Sequence, residues 1–292
     1  MFSLRALSSV VLAIAGTLAG CKSDRPSTDT QASSATTADA PSGAPAIVTV
    51  TANDFSFDAP GQVPAGAVTM RLVNSGKELH HAQMIRIEDG KSMADMAKAL
   101  KNPGPPPSWV KWVGGPNAVA PGKETHATSV LTPGLYAYLC FIPSADKVIH
   151  ASKGMVLPFE VTPTSSASAA DLPATDGTIT LIDYDFQISQ PLTPGKRTIL
   201  VENGGPQAHE VALLKLAPGK TVADFVAWDA GGMKGPPPAE SVGGVVALDK
   251  GARATFTVDL SPGEYGLLCF VPDTKDGRPH LAHGMMKTIK VS

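Results

Sequence analysis

The 292-residue sequence predicts an all-β protein: two Greek-key β-sandwich domains in tandem, each with one short inserted helix. Three observations carry this expectation. The chain repeats itself at an offset of 129 residues, which takes His80 to His209, Cys140 to Cys269, Val113-Gly114-Gly115 to Val242-Gly243-Gly244 and Pro133-Gly134-Leu135-Tyr136 to Pro262-Gly263-Glu264-Tyr265, and which becomes 130 by His150 and His280. Self-similarity at that spacing means two copies of one domain, each long enough for its own core. Short segments of alternating polarity, punctuated by Pro-Gly pairs, read as strands joined by tight turns.

In the first copy the alternating segments are 47–52, 68–73, 82–87, 125–130 and 135–141, and 156–161 closes the domain. Val68, Met70 and Leu72 share one face of the second strand, and Ile199 and Val201 are the counterparts of the last two in copy two. Pro121-Gly122, Pro133-Gly134 and Pro262-Gly263 mark the turns. Ser92-Met93-Ala94-Asp95 and Thr221-Val222-Ala223-Asp224 each resemble a capping box and start the single helix of each copy. Met93, Met96 and Leu100 lie on one helical face and are assigned to packing, as are Val222 and Phe225. Gly104-Pro105-Pro106-Pro107 and Gly235-Pro236-Pro237-Pro238 follow the helices as rigid loops with no chemistry of their own.

Residues 1–20 are expected to be a leader. Arg5 gives a short basic start, and 7–19 is an apolar run too short to cross a bilayer as a helix. The run ends in Leu18-Ala19-Gly20-Cys21, which resembles the bacterial lipoprotein signal. The resemblance implies that Cys21 becomes the lipidated N-terminus, with Lys22 resembling outer-membrane sorting. Such a chain sits on a membrane without crossing it, in the cell envelope and facing the periplasm or the exterior. Residues 21–45, rich in Ser, Thr, Ala, Asp and Pro, read as a disordered tether, and 163–176 as a linker between domains at 46–162 and 177–292. The formal charge is −2, or −3 once Arg5 leaves with the leader, and without a basic stripe nucleic acid is not an expected partner.

Of three cysteines, one is the anchor and two occupy matching positions. Free thiols in an exported protein need a reason. Metal ligation supplies one; an interdomain disulfide or two inert thiols would be others. A histidine and a methionine accompany each cysteine. Cys140 is followed by His150 and Met155, Cys269 by His280 and Met285, with His80 and His209 upstream. Two imidazoles, a thiolate and a weak thioether are the donor set of a type 1 copper site.

With these residues in view, both copies resemble cupredoxins, the plastocyanin and azurin family. In that family the first histidine follows an Asn-x-Gly, as Asn74-Ser75-Gly76 and Asn203-Gly204-Gly205 stand here, and the methionine precedes the last strand. Nine residues separate Cys140 from His150 and ten separate Cys269 from His280. These long loops and their His-x-x-x-Gly-Met ending resemble the type 1 site of copper nitrite reductases. The resemblance implies one type 1 copper per domain, held by His80, Cys140, His150 and Met155 and by His209, Cys269, His280 and Met285. It departs after the first histidine. There the family carries Asn or Ser to tie the ligand loops, and this chain has His81 or Glu210, so the rigidity of the sites is in question. His81 is assigned to the surface and His283 to solvent, and Met286 falls in the closing strand.

The expected function is electron transfer without bond-making chemistry, between redox partner proteins at the membrane or in the periplasm. Nitrite reductase or multicopper oxidase activity would need further copper-binding histidines, one directly before the type 1 cysteine. Leu139 and Leu268 occupy that place, and the sequence has no His-x-His pair. Copper capture or delivery, and a metal-free interaction module, are the alternative functions for the same sandwich.

Overall fold

The computed structural model describes residues 44–101, 106–164 and 171–292. The leader, Cys21, almost all of the tether, Gly104-Pro105 and the middle of the linker lie outside the described residues. The described residues fall in one compact unit, and none of its helices is long and apolar enough to cross a membrane.

Each half is two facing sheets. In the first half, one sheet orders Ser56–Asp58, Ala46–Asn53, Gly66–Asn74 and Glu124–Leu131. The other orders Gln62–Pro64, Val156–Thr162, Gly134–Leu139, Gln83–Ile87 and Val110–Trp112. Ala46–Asn53 and Gly66–Asn74 run parallel, whereas Gly66–Asn74 and Glu124–Leu131 run antiparallel. The second half repeats the plan with Gly177–Ile182, Gly195–Asn203 and Arg253–Leu260 in one sheet, and with Ala239–Leu248, His209–Leu216, Gly263–Leu268 and Met286–Val291 in the other.

Side chains alternate across a strand, and both faces of Gly134–Leu139 are covered. Tyr136, Tyr138 and then Cys140 enter the core between the sheets. Ala137 and Leu139 face the other way, onto the helix Met93–Ala99, whose Met96 is buried. Tyr265, Leu267 and Cys269 repeat the inner row, and Leu268 meets Val222 and Phe225 of the helix Val222–Ala230. Both helices begin with the expected capping boxes. Each cysteine is therefore delivered into the sandwich by the two-residue period of the strand before it.

The halves are joined through backbone. Glu124–Leu131 pairs antiparallel with Arg253–Leu260, fusing their sheets into one of eight strands. Ala127 lies opposite Phe256, its own counterpart at the offset of 129, so a pseudo-two-fold axis passes between them. Further bonds cross at Gly114 N to Ala247 O (3.0 Å) and Val246 N to Gly115 O (3.0 Å). Gly114, Gly115, Gly243 and Gly244 all have positive φ. A Cβ on Gly115 or Gly244 would strike the Ala82 or Val211 carbonyl, so only glycine fits this seam.

Candidate metal centres

The residues singled out from the sequence converge. His80, Cys140 and His150 are fully buried together, and so are His209, Cys269 and His280. Both cysteines are free thiols, which removes the disulfide alternative. In the first centre the His80 and His150 Nδ1 atoms are 3.1 Å apart, and the Cys140 Sγ lies 4.0 and 3.4 Å from them. In the second, the His209 and His280 Nδ1 atoms are 2.9 Å apart, with Cys269 Sγ 3.4 Å from His280 Nδ1.

The loop after each cysteine sets this geometry. Cys140 N donates to Met155 O, Met155 N to His150 O, and Ala151 N to Cys140 O. A 3-10 turn over His150–Lys153 ends at Gly154 with φ 109°, a conformation that favours glycine. His280–His283 and Gly284 (φ 101°) repeat it. The loop thus ties cysteine, second histidine and methionine by backbone, and Met155 and Met285 are fully buried in the same core clusters as the cysteines.

Carboxylates hold the far side of the rings. Asp54 Oδ1 accepts from His80 Nε2 at 2.9 Å, Glu78 Oε2 from His150 Nε2 at 3.0 Å, and Asp183 Oδ1 from His209 Nε2 at 2.7 Å. An imidazole whose Nε2 is the donor presents a bare lone pair at Nδ1. In the first centre two such lone pairs face each other across 3.1 Å beside a thiol. A cation between them relieves that confrontation. An ion with bonds of about 2 Å to nitrogen and a little more to sulfur suits donors at these separations. The donor set, soft thiolate with two imidazoles, is copper's.

Sequence reasoning missed Asp54, Asp183 and Glu78. For the first two a signal existed: they keep the offset of 129, and each precedes an aromatic residue, Phe55 or Tyr184. Those aromatics have φ of 88° and 67°, a strained region for a side chain of that size. In that conformation Phe55 stands edge-on to His150 (5.1 Å between centroids) and Tyr184 to His280 (5.7 Å). The Asn-x-Gly motif also gains a cause. Asn74 Nδ2 donates to Glu78 O and Val119 O, while Gly76 N donates to Asn74 Oδ1. A Cβ on Gly76 would lie 2.6 Å from His80 Nε2, and one on Gly205 2.6 Å from His209 Nε2, so glycine leaves the acid–histidine contact its room.

Two expectations are corrected. His81 is buried, 8% exposed, and its Nε2 accepts from Phe141 N at 2.8 Å. Glu210 Oε1 accepts from Phe270 N at 2.8 Å in the same way. The loops are therefore tied after all: any acceptor of the right reach serves, and in the second half a register shift between His209 and Val211 lets Glu210 also turn inward. Asn117, from the first half, donates to Glu210 Oε2 at 3.1 Å. His283 is half-buried and not simply solvated, 3.2 Å from Asp276 and packed on the Tyr184 ring.

Burial sets the protonation of the centres. It pushes the Cys140 thiol up to about 12, and Cys269 rises for the same reason with Glu210 adding to it. Desolvation lowers His80 and His209 against the pull of their carboxylates, and brings His280 down to about 4. The His80, His209 and His280 rings are thus held neutral, and a metal that binds must displace the thiol proton.

No protein-family model and no curated protein matches the chain. Among solved structures it is similar to reduced auracyanin from Roseiflexus castenholzii, with 19% identity over 41% of this chain and 100% of that one at a TM-score of 0.29. It is also similar to a blue copper oxidase from Nitrosomonas europaea, with 15% identity over 85% and 86% of the two chains (TM-score 0.24). A copper nitrite reductase from the same organism aligns at 13% identity over 85% and 94% (TM-score 0.25). Likenesses this distant carry no argument about the centres, which stand on their own donor geometry.

Proposed function

We propose that the chain is an electron-transfer protein with two type 1 copper sites, anchored through a lipidated Cys21 to a membrane of the cell envelope and exchanging electrons with redox proteins there. One observation carries the proposal: a buried His–Cys–His triad with its two Nδ1 atoms about 3 Å apart beside the thiol, built twice. Met155 and Met285, buried in the same core clusters, would supply the weak thioether donors. Bound copper supplies one-electron exchange between its two oxidation states.

The chain's own residues keep that exchange cheap. The sandwich excludes water from the donors, and carboxylates fix the ring orientations and raise ligand basicity. His81 and Glu210 lock the cysteine loop from behind. Ligands held this way move little on gaining or losing an electron. All seven histidines are occupied: four in the centres, His81 on Phe141 N, His126 beside Glu124 (3.8 Å) and His283 on Asp276. That leaves no histidine cluster for a second copper type, so an electron carrier fits better than a reductase or oxidase.

Cu(II) titration of the full chain, followed by visible absorption and paramagnetic resonance, tests the proposal. Two equivalents with an intense blue band are expected; colourless binding with intact thiols overturns it. Slow copper exchange through repeated redox cycles separates a carrier from a copper-delivery protein.

A further inference from the structure

Beside the second centre lies a cluster that its function does not use. In the first half, Lys153 Nζ sits 2.8 Å from Asp146 and 4.6 Å above the centre of the Phe55 ring. The ammonium is a built-in cation at the rim of that centre. At the matching places the second half has His283, Asp276 and Tyr184, so the ammonium is gone. A carboxylate has also moved inward, because Asp273 stands where the first half has Ser144, while Gln207 replaces Glu78.

Asp273 is 3% exposed, and among the described residues no lysine or arginine neutralises it. Its contacts are the Tyr184 hydroxyl (2.5 Å), Gln207 Nε2 (3.0 Å) and Lys275 N (2.7 Å), all uncharged donors. A carboxylate has about four acceptor positions, so one remains free. Buried charges are paired or coordinate metals. The buried ring of His280 points at the same carboxylate. Its Nε2 has no hydrogen-bond partner and lies 3.8 Å from Asp273 Oδ2, too far to bond. Asp273, Asp276 and His283 each offer an atom within 4.8 Å of the others.

The geometry points to a third metal site, at Asp273, Asp276 and His283, that takes a divalent ion in the place Lys153 fills in the first half. One imidazole with two carboxylates suits an ion of the zinc class better than calcium or magnesium, which prefer all-oxygen donors. The ion would sit one imidazole ring away from the second centre.

Zinc(II) calorimetry on the full chain, with both cysteine centres already filled by copper, is the test. One further equivalent is expected. His283→Lys, which restores the first half's arrangement, should lose it, and Asp276→Asn, at an exposed position, should weaken it at least tenfold. Identical zinc uptake by the parent and His283→Lys overturns the site, as does no uptake by the parent. The inference does not rest on the copper reading. In a Cys140→Ser/Cys269→Ser background the same equivalent should still distinguish the parent from His283→Lys.

Discussion

The two centres share their donors and the aspartate behind the first histidine, and part around the second. Each has two Nδ1 atoms about 3 Å apart beside a buried thiol, and each holds its first ring with an aspartate, Asp54 or Asp183. Around the second ring the copies part. Glu78 bonds His150 at 3.0 Å, whereas its counterpart is Gln207 and the acid has moved to Asp273, 3.8 Å from His280. Behind the cysteine, neutral His81 stands opposite Glu210, and at the rim Lys153 opposite His283. Donor identity is fixed by what a metal accepts, while the outer shell, which tunes affinity and potential, is free to diverge. The difference teaches that duplication has produced two sites of one kind with unequal electrostatics.

The bluntest way to sharpen the comparison is to delete one centre at a time. Cys140→Ser and Cys269→Ser should each remove one copper equivalent and about half of the blue absorption, and the double variant all of it. Two residual bands of different potential, read by spectroelectrochemistry, would express the divergence. Identical bands would break it.

The next largest effect is on pH. Burial raises Glu210 to about 7, and burial lowers His81 to about 3. In metal-free protein, folded Glu210 binds a proton that the unfolded chain has released. Its stabilisation is therefore complete below about 4.5 and declines as pH rises to about 7. His81 acts in the opposite sense. Its stabilisation is complete above about 6.5 and is lost as pH falls towards 3. The full swings are on the order of 3 kcal/mol for Glu210 and 5 kcal/mol for His81. Chemical denaturation of Glu210→Gln should show stability that no longer falls between pH 4.5 and 7, whereas His81→Gln should no longer lose stability on acidification. Parallel pH profiles in the two variants would contradict the burial of either group.

Much of this was legible beforehand, and the illegible part has physical causes. The donors, both helices and the main strands keep an offset of 129, or 130 past the cysteine loop, and repetition makes a weak signal strong. Asp54 and Asp183 keep it too, but they lie 26 residues before their histidines on a separate hairpin, so only the fold connects them. Glu78 and Asp273 break the register, because the acid facing the second histidine comes from two different loops, and comparing the copies hides it. The inward turn of His81 was missed because strict strand alternation sends it outward, whereas the bulge at His209 and Val211 shows that alternation is suspended at this position. The joining of the halves through Glu124–Leu131 and Arg253–Leu260 uses backbone hydrogen bonds, which side-chain patterns do not report.

The unequal acids provide a smaller test. Removing a carboxylate behind a ligating histidine costs about 10–100-fold in metal affinity. Glu78→Gln should weaken the first site within that range and leave the second untouched. Asp273→Asn should cost the second site less, because its oxygens are already out of bonding reach of His280. Copper competition titrations of each variant, in the Cys-to-Ser background that isolates one site, read the two numbers separately. Equal losses would mean that Asp273 closes on His280 when the site is filled.

The smallest effect is that of a single hydroxyl. Tyr184 donates to Asp273 at 2.5 Å and holds it away from His280; the counterpart Phe55 has no such group. Tyr184→Phe keeps the ring against His280 and frees the carboxylate to approach Nε2. The lost bond is worth about 1 kcal/mol, offset in part by the new one. The stability of metal-free protein should therefore change by less than that. The informative readout is the second site's potential. A carboxylate hydrogen-bonded to His280 makes the ring a stronger donor and favours the oxidised ion, so the potential should fall while the first site's stays fixed. The reverse substitution, Phe55→Tyr, should leave the first site unmoved, since Ser144 stands where an aspartate would have to be.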